Sequence, residues 1–259
     1  MSSKSDHLAA AALYDKHASY AKVAAELGCV PSTAKRWVEL GKAARTSIAS
    51  TRASAYRFAT EAYRNVIEYV RLVGHYDEEN MSETVKRSAN ALMEMVQPLA
   101  LIEHEIADVF AAKFPTHTKQ APMVISLETR VVSLCPHHFL PVIYMVDMAY
   151  LPTQWYLGLS KPTRLAELLG RRPVLQETYT AQLADVLSGK DLKGREHVET
   201  LGSAVRVRGW HSCMACRGIR HQNSQVVTRA LNGSFLNSVE LRAEFDSNLP
   251  PLPTARGLG

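Results

Sequence analysis

The hydrophobic pattern of this chain changes its period near residue 122, and this change constrains the fold more than any other feature. Up to Phe114, apolar residues recur three and four positions apart, which is typical of helices that bury one face. Beyond residue 122, short runs rich in Val, Ile, Met and Tyr predict strands interrupted by two helices. The pattern predicts helices at 8–17, 20–27, 34–40, 46–72, 82–114, 161–169 and 176–187, and strands at 123–127, 129–134, 141–151, 203–208, 225–231 and 234–245.

Length and composition indicate a globular protein. The chain has 259 residues, of which 46% are hydrophobic and 21% charged, so collagen-like, low-complexity and wholly disordered chains are excluded. No apolar run approaches the ~20 residues that cross a bilayer, and the N-terminus is poor material for a signal peptide. We therefore expect a cytoplasmic protein that does not enter the membrane.

The net charge of +5 is unevenly distributed. Residues 1–60 contain nine Lys and Arg and four Asp and Glu, whereas the remaining 199 residues contain 21 of each sign. Any binding to a polyanion is therefore expected in the N-terminal part. A surface that merely increases solubility is the alternative.

The N-terminal part resembles a helix-turn-helix. Two short predicted helices are joined by a turn at Gly28, and the second opens with small polar residues. In that motif the second helix enters the major groove of DNA. Val23, Leu27, Val30 and Trp37 are expected in its core. A three-helix appendage used for packing or oligomerisation is the alternative. The candidate nucleic-acid contacts are Ser32, Thr33, Lys35 and Arg36.

Clustered cysteines and histidines suggest a metal site. Cys135 and His138 are three residues apart after a predicted strand, and Cys213 follows His211 in a second cluster. Thiolate and imidazole are ligands that suit zinc. Three ligands would leave a position open for water, whereas adding Cys216 would make a closed structural site. A buried cysteine beside two surface histidines needs no metal, and these alternatives remain open from spacing alone.

A second group of residues suits a phosphorylated purine. Segment 158–164 begins a predicted helix, with Ser160 as its N-cap and Lys161 and Arg164 on one face near the positive end of the helix dipole. A solvated helix start is the alternative. At the next helix, Glu177 could accept two parallel hydrogen bonds from the edge of guanine, although a glutamate at a helix start is also common.

These segments together resemble the GTP cyclohydrolase I family. Their order and spacing agree with the family over about residues 55–240, although Pro136 stands where the family usually has Glu, and Thr178 where it has Arg. The matching motifs are Ser133-Leu134-Cys135-x-His137-His138, Ala149-Tyr150-Leu151-Pro152, Gly158-Leu159-Ser160-Lys161-x-x-Arg164, Arg171-Arg172-Pro173-x-x-Gln176-Glu177, His211-x-Cys213-Met214-x-x-Arg217-Gly218 and Gly233-x-Phe235.

The resemblance implies an α+β tunnelling fold, in which an antiparallel sheet carries paired helices and assembles into a ring-shaped homo-oligomer with active sites between subunits. It implies hydrolytic opening of the imidazole ring of GTP, or of dGTP, with release of formate and formation of 7,8-dihydroneopterin triphosphate. By resemblance, the roles are Zn²⁺ ligation by Cys135, His138 and Cys213; proton transfer by His137 and His211; ribose contact by Ser160; triphosphate binding by Lys161, Arg164, Arg217 and Arg87; and guanine recognition by Gln176 and Glu177.

The predicted N-terminal helices and the family resemblance, which does not extend to them, together predict a division of the chain into domains. We expect a small all-α helix-turn-helix-like domain at 1–45, a cyclohydrolase-like domain at 46–245 and a loose Pro-rich tail at 246–259.

Two other functions compete with catalysis on GTP. One is a DNA-binding regulator whose cyclohydrolase-like body senses a purine or pterin without converting it. The other is a tunnelling-fold enzyme that acts on a related purine or pterin.

Overall fold

The computed structural model of the chain describes residues 4–118 and 121–251. They form two compact units, one ending at His104 and one beginning at Glu105. Within the described ranges, no helix combines the length and apolar character needed to cross a bilayer.

The described residues of the first unit form helices and no strands, and local signals explain most of the helix boundaries. Ser19 caps the second helix by accepting a hydrogen bond from the Lys22 backbone N–H, and Gly28 turns the chain with a φ of 62°. Its helices are α1 (Lys4–His17), α2 (Tyr20–Glu26), α3 (Pro31–Leu72), α4 (Glu78–Met81) and α5 (Thr84–Met95), and α6 (Leu99–Ala111) contains the division between the units.

Three details of the first unit differ from the predictions. The helices expected at 34–40 and 46–72 are one helix, α3, in which Gly41 allows α1 to approach closely, since a Cβ there would lie 1.8 Å from the carbonyl oxygen of His7. The helix expected at 82–114 is interrupted before Leu99, where Pro98 cannot donate a helical hydrogen bond. Val30 was expected in the core but is 61% exposed, because it takes the extended N-cap position of α3.

The second unit is built on a four-stranded antiparallel sheet with the strand order β2-β3-β5-β6. A separate pair, β1 and β4, is also antiparallel. The strands are β1 (Lys113–Pro115), β2 (Val124–Leu134), β3 (Pro141–Pro152), β4 (Trp155–Leu157), β5 (Thr200–His211) and β6 (Gln225–Gly233), and the remaining helices are α7 (Lys161–Gly170), α8 (Gln176–Leu187), α9 (Ser212–Ala215), α10 (Ser234–Asn237) and α11 (Val239–Asn248).

Helices α7 and α8 pack on one face of this sheet, which confirms the predicted α+β class. The rings of Tyr144 on β3 and Tyr179 on α8 stack with their centroids 4.9 Å apart, and both side chains are buried. Ser203 on β5 donates a hydrogen bond of 2.6 Å to the Ala184 carbonyl in α8. These contacts hold α8 along the sheet, and the candidate site lies beside the start of this helix.

The C-terminal part corrects a predicted strand. Residues 234–245 are helical, because Gly233 ends β6 with a φ of 57° and Ser238 caps α11 by accepting from the Leu241 N–H. Phe235 and Phe245 are buried there against Ala149, Leu151 and Ala204. Helix α11 continues into the segment predicted as a loose tail, and residues 252–259 of that segment lie outside the described residues. The domain boundaries stay predictions; position 45 falls inside α3.

Candidate metal centre and substrate pocket

The turn between β2 and β3 brings Cys135 and His138 together. Phe139 donates a backbone hydrogen bond of 2.8 Å to the Cys135 carbonyl, and the Cys135 N–H bonds to Leu140. Pro136 suits the start of this turn because its φ is already restricted, and Phe139 closes it with a φ of 55°. As a result, Cys135 Sγ lies 3.7 Å from Nδ1 of His138.

The sheet register brings Cys213 to the same place. His211, the last residue of β5, pairs with Val142 at the start of β3, immediately after the turn that carries Cys135. Ser212 then donates a hydrogen bond of 2.6 Å to the Pro141 carbonyl and attaches the short helix α9 to β3. Cys213 Sγ consequently lies 3.8 Å from Cys135 Sγ.

The three side chains fit a tetrahedral zinc ion. Ligand bonds of about 2.3 Å to sulfur and about 2.0 Å to nitrogen place two sulfurs about 3.8 Å apart, and a sulfur and a nitrogen about 3.6 Å apart. The observed separations are 3.8 and 3.7 Å, and all three donor atoms lie within 4.8 Å of one another. Among the described residues, Cys216 is exposed and outside this group.

The electrostatics of the two thiols also favour a cation. Burial and the neighbouring Cys135 thiol raise the pKa of Cys213, although Arg217 opposes this rise. Two thiolates this close repel each other unless a positive charge lies between them. The donor set therefore suits a divalent metal better than a bare pair of ionised cysteines.

A pocket of about 290 Å³ opens beside the three side chains. Its size is near the lower end of small-molecule sites. It contains both candidate proton-transfer histidines and the exposed Glu177. Its lining residues are Cys135, Pro136, His137, His138, Val174, Leu175, Gln176, Glu177, His211, Cys213, Met214 and Val226.

Gln176 is buried, and its side-chain amide bonds to the protein. Its Nε2 donates to the Val226 carbonyl at 2.9 Å and to the Thr228 hydroxyl at 3.0 Å, and its Oε1 lies 2.8 Å from Nε2 of His211. The resemblance assigns this residue to guanine, but here the side chain holds a histidine. Thr228 and Gly209 were not singled out from the sequence, because only the cross-strand packing places them beside Gln176.

The two candidate proton carriers have different surroundings. His137 is exposed on the β2–β3 turn, whereas His211 is half-buried. Burial lowers the pKa of His211, and the carboxylate of Glu177 partly offsets this by favouring the charged ring. Glu177 is therefore close enough to influence His211 while remaining accessible at the pocket mouth.

Two of the four candidate phosphate residues, Lys161 and Arg164, line a different pocket, of about 310 Å³. Among the residues that the structure describes, none lines both this pocket and the one beside the cysteines. Three carboxylates in this pocket offset the charges of Lys161, Arg164 and Arg171. Nη1 of Arg171 lies 3.8 Å from Oε2 of Glu105. The second pocket is lined by Glu105, Asp108, Val109, Lys161, Arg164, Glu167, Leu168 and Arg171.

The other predicted residues are spread over the chain. Ser160 holds the N-cap position of α7, but its hydroxyl makes no capping hydrogen bond. Arg217 is exposed beyond α9 and close enough to influence the Cys213 thiol, and Arg87 belongs to α5 of the first unit. In the N-terminal helices, Ser32, Lys35 and Arg36 are exposed and Thr33 is half-buried.

A family model described as GTP cyclohydrolase I matches residues 59–249, which is most of the chain. The chain belongs to the GTP cyclohydrolase I family. The antiparallel sheet with helices on one face is accordingly the tunnelling fold of GTP cyclohydrolase I, as the sequence motifs predicted. Residues 1–58, which include α1 and α2, lie outside the match.

Individual relatives agree with this assignment. GTP cyclohydrolase 1 1 of Pseudomonas aeruginosa is 33% identical over 186 residues, covering 72% of this chain and 93% of that protein. GTP cyclohydrolase 1 of Deinococcus radiodurans is 37% identical over 175 residues, covering 66% of this chain and 74% of that protein. The Campylobacter lari protein of the same name is 41% identical over 123 residues, covering 48% and 61%.

Proposed function

We propose that this protein hydrolyses GTP to formate and 7,8-dihydroneopterin triphosphate. The observation that supports this best is the position of the Cys135, His138 and Cys213 group, which borders a pocket that also contains His137, His211 and Glu177. The candidate metal ligands, the candidate proton carriers and a carboxylate that could accept from guanine thus border one pocket. A protein that only sensed a purine would need the carboxylate but not the proton carriers.

We propose Zn²⁺ as the metal, held by Cys135, His138 and Cys213. Bound zinc would lower the pKa of water at its open position and so provide a nucleophile for the purine C8 near neutral pH. Because ligation needs reduced thiols, we place the protein in a reducing compartment, the cytoplasm.

The chain's own residues would orient the base and move protons. The Glu177 carboxylate can accept two parallel hydrogen bonds from the N1–H and 2-amino groups of guanine. A carbonyl can only accept a hydrogen bond, so the Gln176 atom that faces the Val226 carbonyl is the amide nitrogen, Nε2. The Oε1 atom of Gln176 then accepts from His211, which places the proton of the neutral His211 ring on Nε2. Nδ1 of His211 is then available to exchange a proton, and exposed His137 can do so on the turn beside His138.

We further propose that a complete site forms between copies of this chain. Thr163, near the start of α7, lies beside Thr129 in the middle of β2, whereas Cys135 directly follows the last residue of β2. The α7 residues Lys161 and Arg164 accordingly line a pocket separate from the cysteines. A substrate bound beside the cysteines would therefore need a neighbouring subunit to supply the cations that bind its triphosphate. The expected assembly is the ring-shaped homo-oligomer of the family, with Arg217, Ser160 and Arg87 as further candidate substrate contacts.

A turnover assay tests the proposal. Purified protein supplied with Zn²⁺ and GTP should release one formate per nucleotide and produce a fluorescent pterin after oxidation, and parallel reactions with dGTP should establish the sugar preference. Intact GTP bound without turnover would contradict the proposal and favour a regulator. A product with a different mass would indicate another purine or pterin reaction.

A further inference from the structure

The first two turns of α3 and the neighbouring α2 present a basic surface that the proposed reaction does not use. This surface, here called the head surface, consists of Lys22, Ser32, Lys35 and Arg36, all of which are exposed. It lies within residues 1–58, outside the match to the family model. Its role must therefore be inferred from its own chemistry.

A small hydrophobic core holds the head surface in place. Ala34 and Val38 on α3 are buried together with Val23 on α2 and Ala10 on α1. Because Ala34 and Val38 face inward, Ser32 and Arg36 lie on the opposite side of the helix, and the exposed Lys35 lies on its flank. The four-residue turn from Leu27 to Val30, with Gly28 in the left-handed conformation, sets how α2 leads into α3.

The charges of this region are unequally neutralised. Of the acidic side chains that the structure describes here, Asp15 pairs with Arg45 and Glu39 with Lys42, while Glu26 contacts a histidine, His17. Lys22, Lys35 and Arg36, in contrast, form no ion pair with any described residue. The head surface therefore presents three unneutralised cations to solvent, which favours an anionic partner.

We propose that the head surface binds duplex DNA, with the start of α3 in the major groove. Two helices joined by a four-residue glycine turn, with the second presenting short polar and basic side chains, match the way helix-turn-helix proteins dock. The major groove of B-DNA admits a helix, whereas that of A-form RNA is too narrow. Lys22, Lys35 and Arg36 would contact phosphates, and Ser32 is short enough to let the helix approach the bases closely.

Fluorescence anisotropy on the full-length protein tests this proposal. The probe is a labelled 30-base-pair duplex of mixed sequence, titrated between 50 and 200 mM salt. Wild-type protein should bind with an affinity that falls steeply as salt rises. Lys35→Ala/Arg36→Ala should bind at least about tenfold more weakly and reduce the slope of log K against log salt by about 2, one for each lost phosphate contact.

A matched variant separates the head surface from a general effect of charge. Arg52→Ala/Arg57→Ala removes two exposed cations from the same helix, outside the head surface, and should bind DNA like wild type. All variants should keep wild-type helicity by circular dichroism. Absence of binding at 50 mM salt, equal loss in both double variants, or equal affinity for duplex RNA or an acidic peptide would overturn the proposal. Turnover of GTP is measured in parallel, so failure of this proposal is independent of the catalytic one.

Discussion

Gln176 Oε1 lies 2.8 Å from Nε2 of His211, and the amide of Gln176 is anchored on its other side by the β6 strand. The Thr180 hydroxyl donates to the backbone carbonyl of Gln176, so its oxygen accepts from the Thr228 hydroxyl. The Thr228 oxygen in turn accepts from the side-chain amide of Gln176. This chain of hydrogen bonds fixes the orientation and tautomer of a histidine at the pocket. We therefore treat Gln176 as a positioning residue.

Replacing Gln176 should impair proton transfer more than substrate binding. In Gln176→Ala, His211 loses its fixed partner, and we expect kcat to fall by about 10- to 100-fold, by analogy with the loss of hydrogen-bond partners that support residues of metal sites. Steady-state kinetics and zinc content should be measured together, with zinc unchanged. The opposite pattern, a raised KM with unchanged kcat, would show that Gln176 acts on guanine instead.

Gly209 should be intolerant of even one added carbon. A Cβ at this position would lie 2.0 Å from Gln176 Oε1 and 3.1 Å from His211 Nε2, so Gly209→Ala should displace the amide and lower kcat by a similar factor. A double-mutant cycle with Gln176→Ala identifies the cause. If the clash acts through the amide, the double variant should be no slower than Gln176→Ala alone, and fully additive losses would contradict this explanation.

Metal analysis of two cysteine variants should separate an open from a closed site. Cys213→Ser removes a sulfur 3.8 Å from Cys135 Sγ, so bound zinc and GTP turnover should both be lost. Cys216→Ser changes an exposed thiol outside the group and should keep both. Elemental analysis after dialysis, with circular dichroism as the folding control, provides the measurement. Equal metal loss in the two variants would indicate a closed four-ligand site.

Asp191 should stabilise the loop before β5 in a pH-dependent manner. Burial opposes ionisation, but hydrogen bonds from Arg195, His197 and Lys193 outweigh it and lower the pKa of Asp191 to about 2. A depressed pKa contributes stability above the unfolded value of about 4, and this contribution is lost as the pH falls towards 2. Asp191→Asn should therefore reduce the free energy of unfolding at pH 7 by about 2 kcal/mol.

Thermal unfolding across pH checks this prediction. The difference in Tm between wild type and Asp191→Asn should be greatest above pH 4 and should shrink towards pH 2. Asp185→Asn is the matched control: it neutralises an exposed carboxylate on α8, keeps an oxygen that can accept from Asn232, and should show little difference at any pH. A constant difference between pH 7 and pH 2 would mean that the charge of Asp191 is not what stabilises the loop.

Local sequence determined the features that depend on neighbouring residues. The helices at 161–170 and 176–187 and the central strands follow from periodicity, and the turn at Gly28 follows from a backbone conformation that glycine adopts without strain. The spacing of Cys135 and His138 is compatible with one turn directing both towards one ion, but the metal-free alternative stays open until the family motifs are considered. The family motifs, read in order, identified the fold.

Only the tertiary structure decided the features that depend on distant residues. The pairing of β3 with β5 brings Cys213 to Cys135, 78 residues away, and leaves Cys216 outside. The contact between Gln176 and His211 likewise depends on how α8 crosses the sheet, and the separation of Lys161 from the cysteines depends on the direction of α7 along β2. Local propensity acts over a few residues, whereas strand register and helix packing set distances between side chains far apart in the chain.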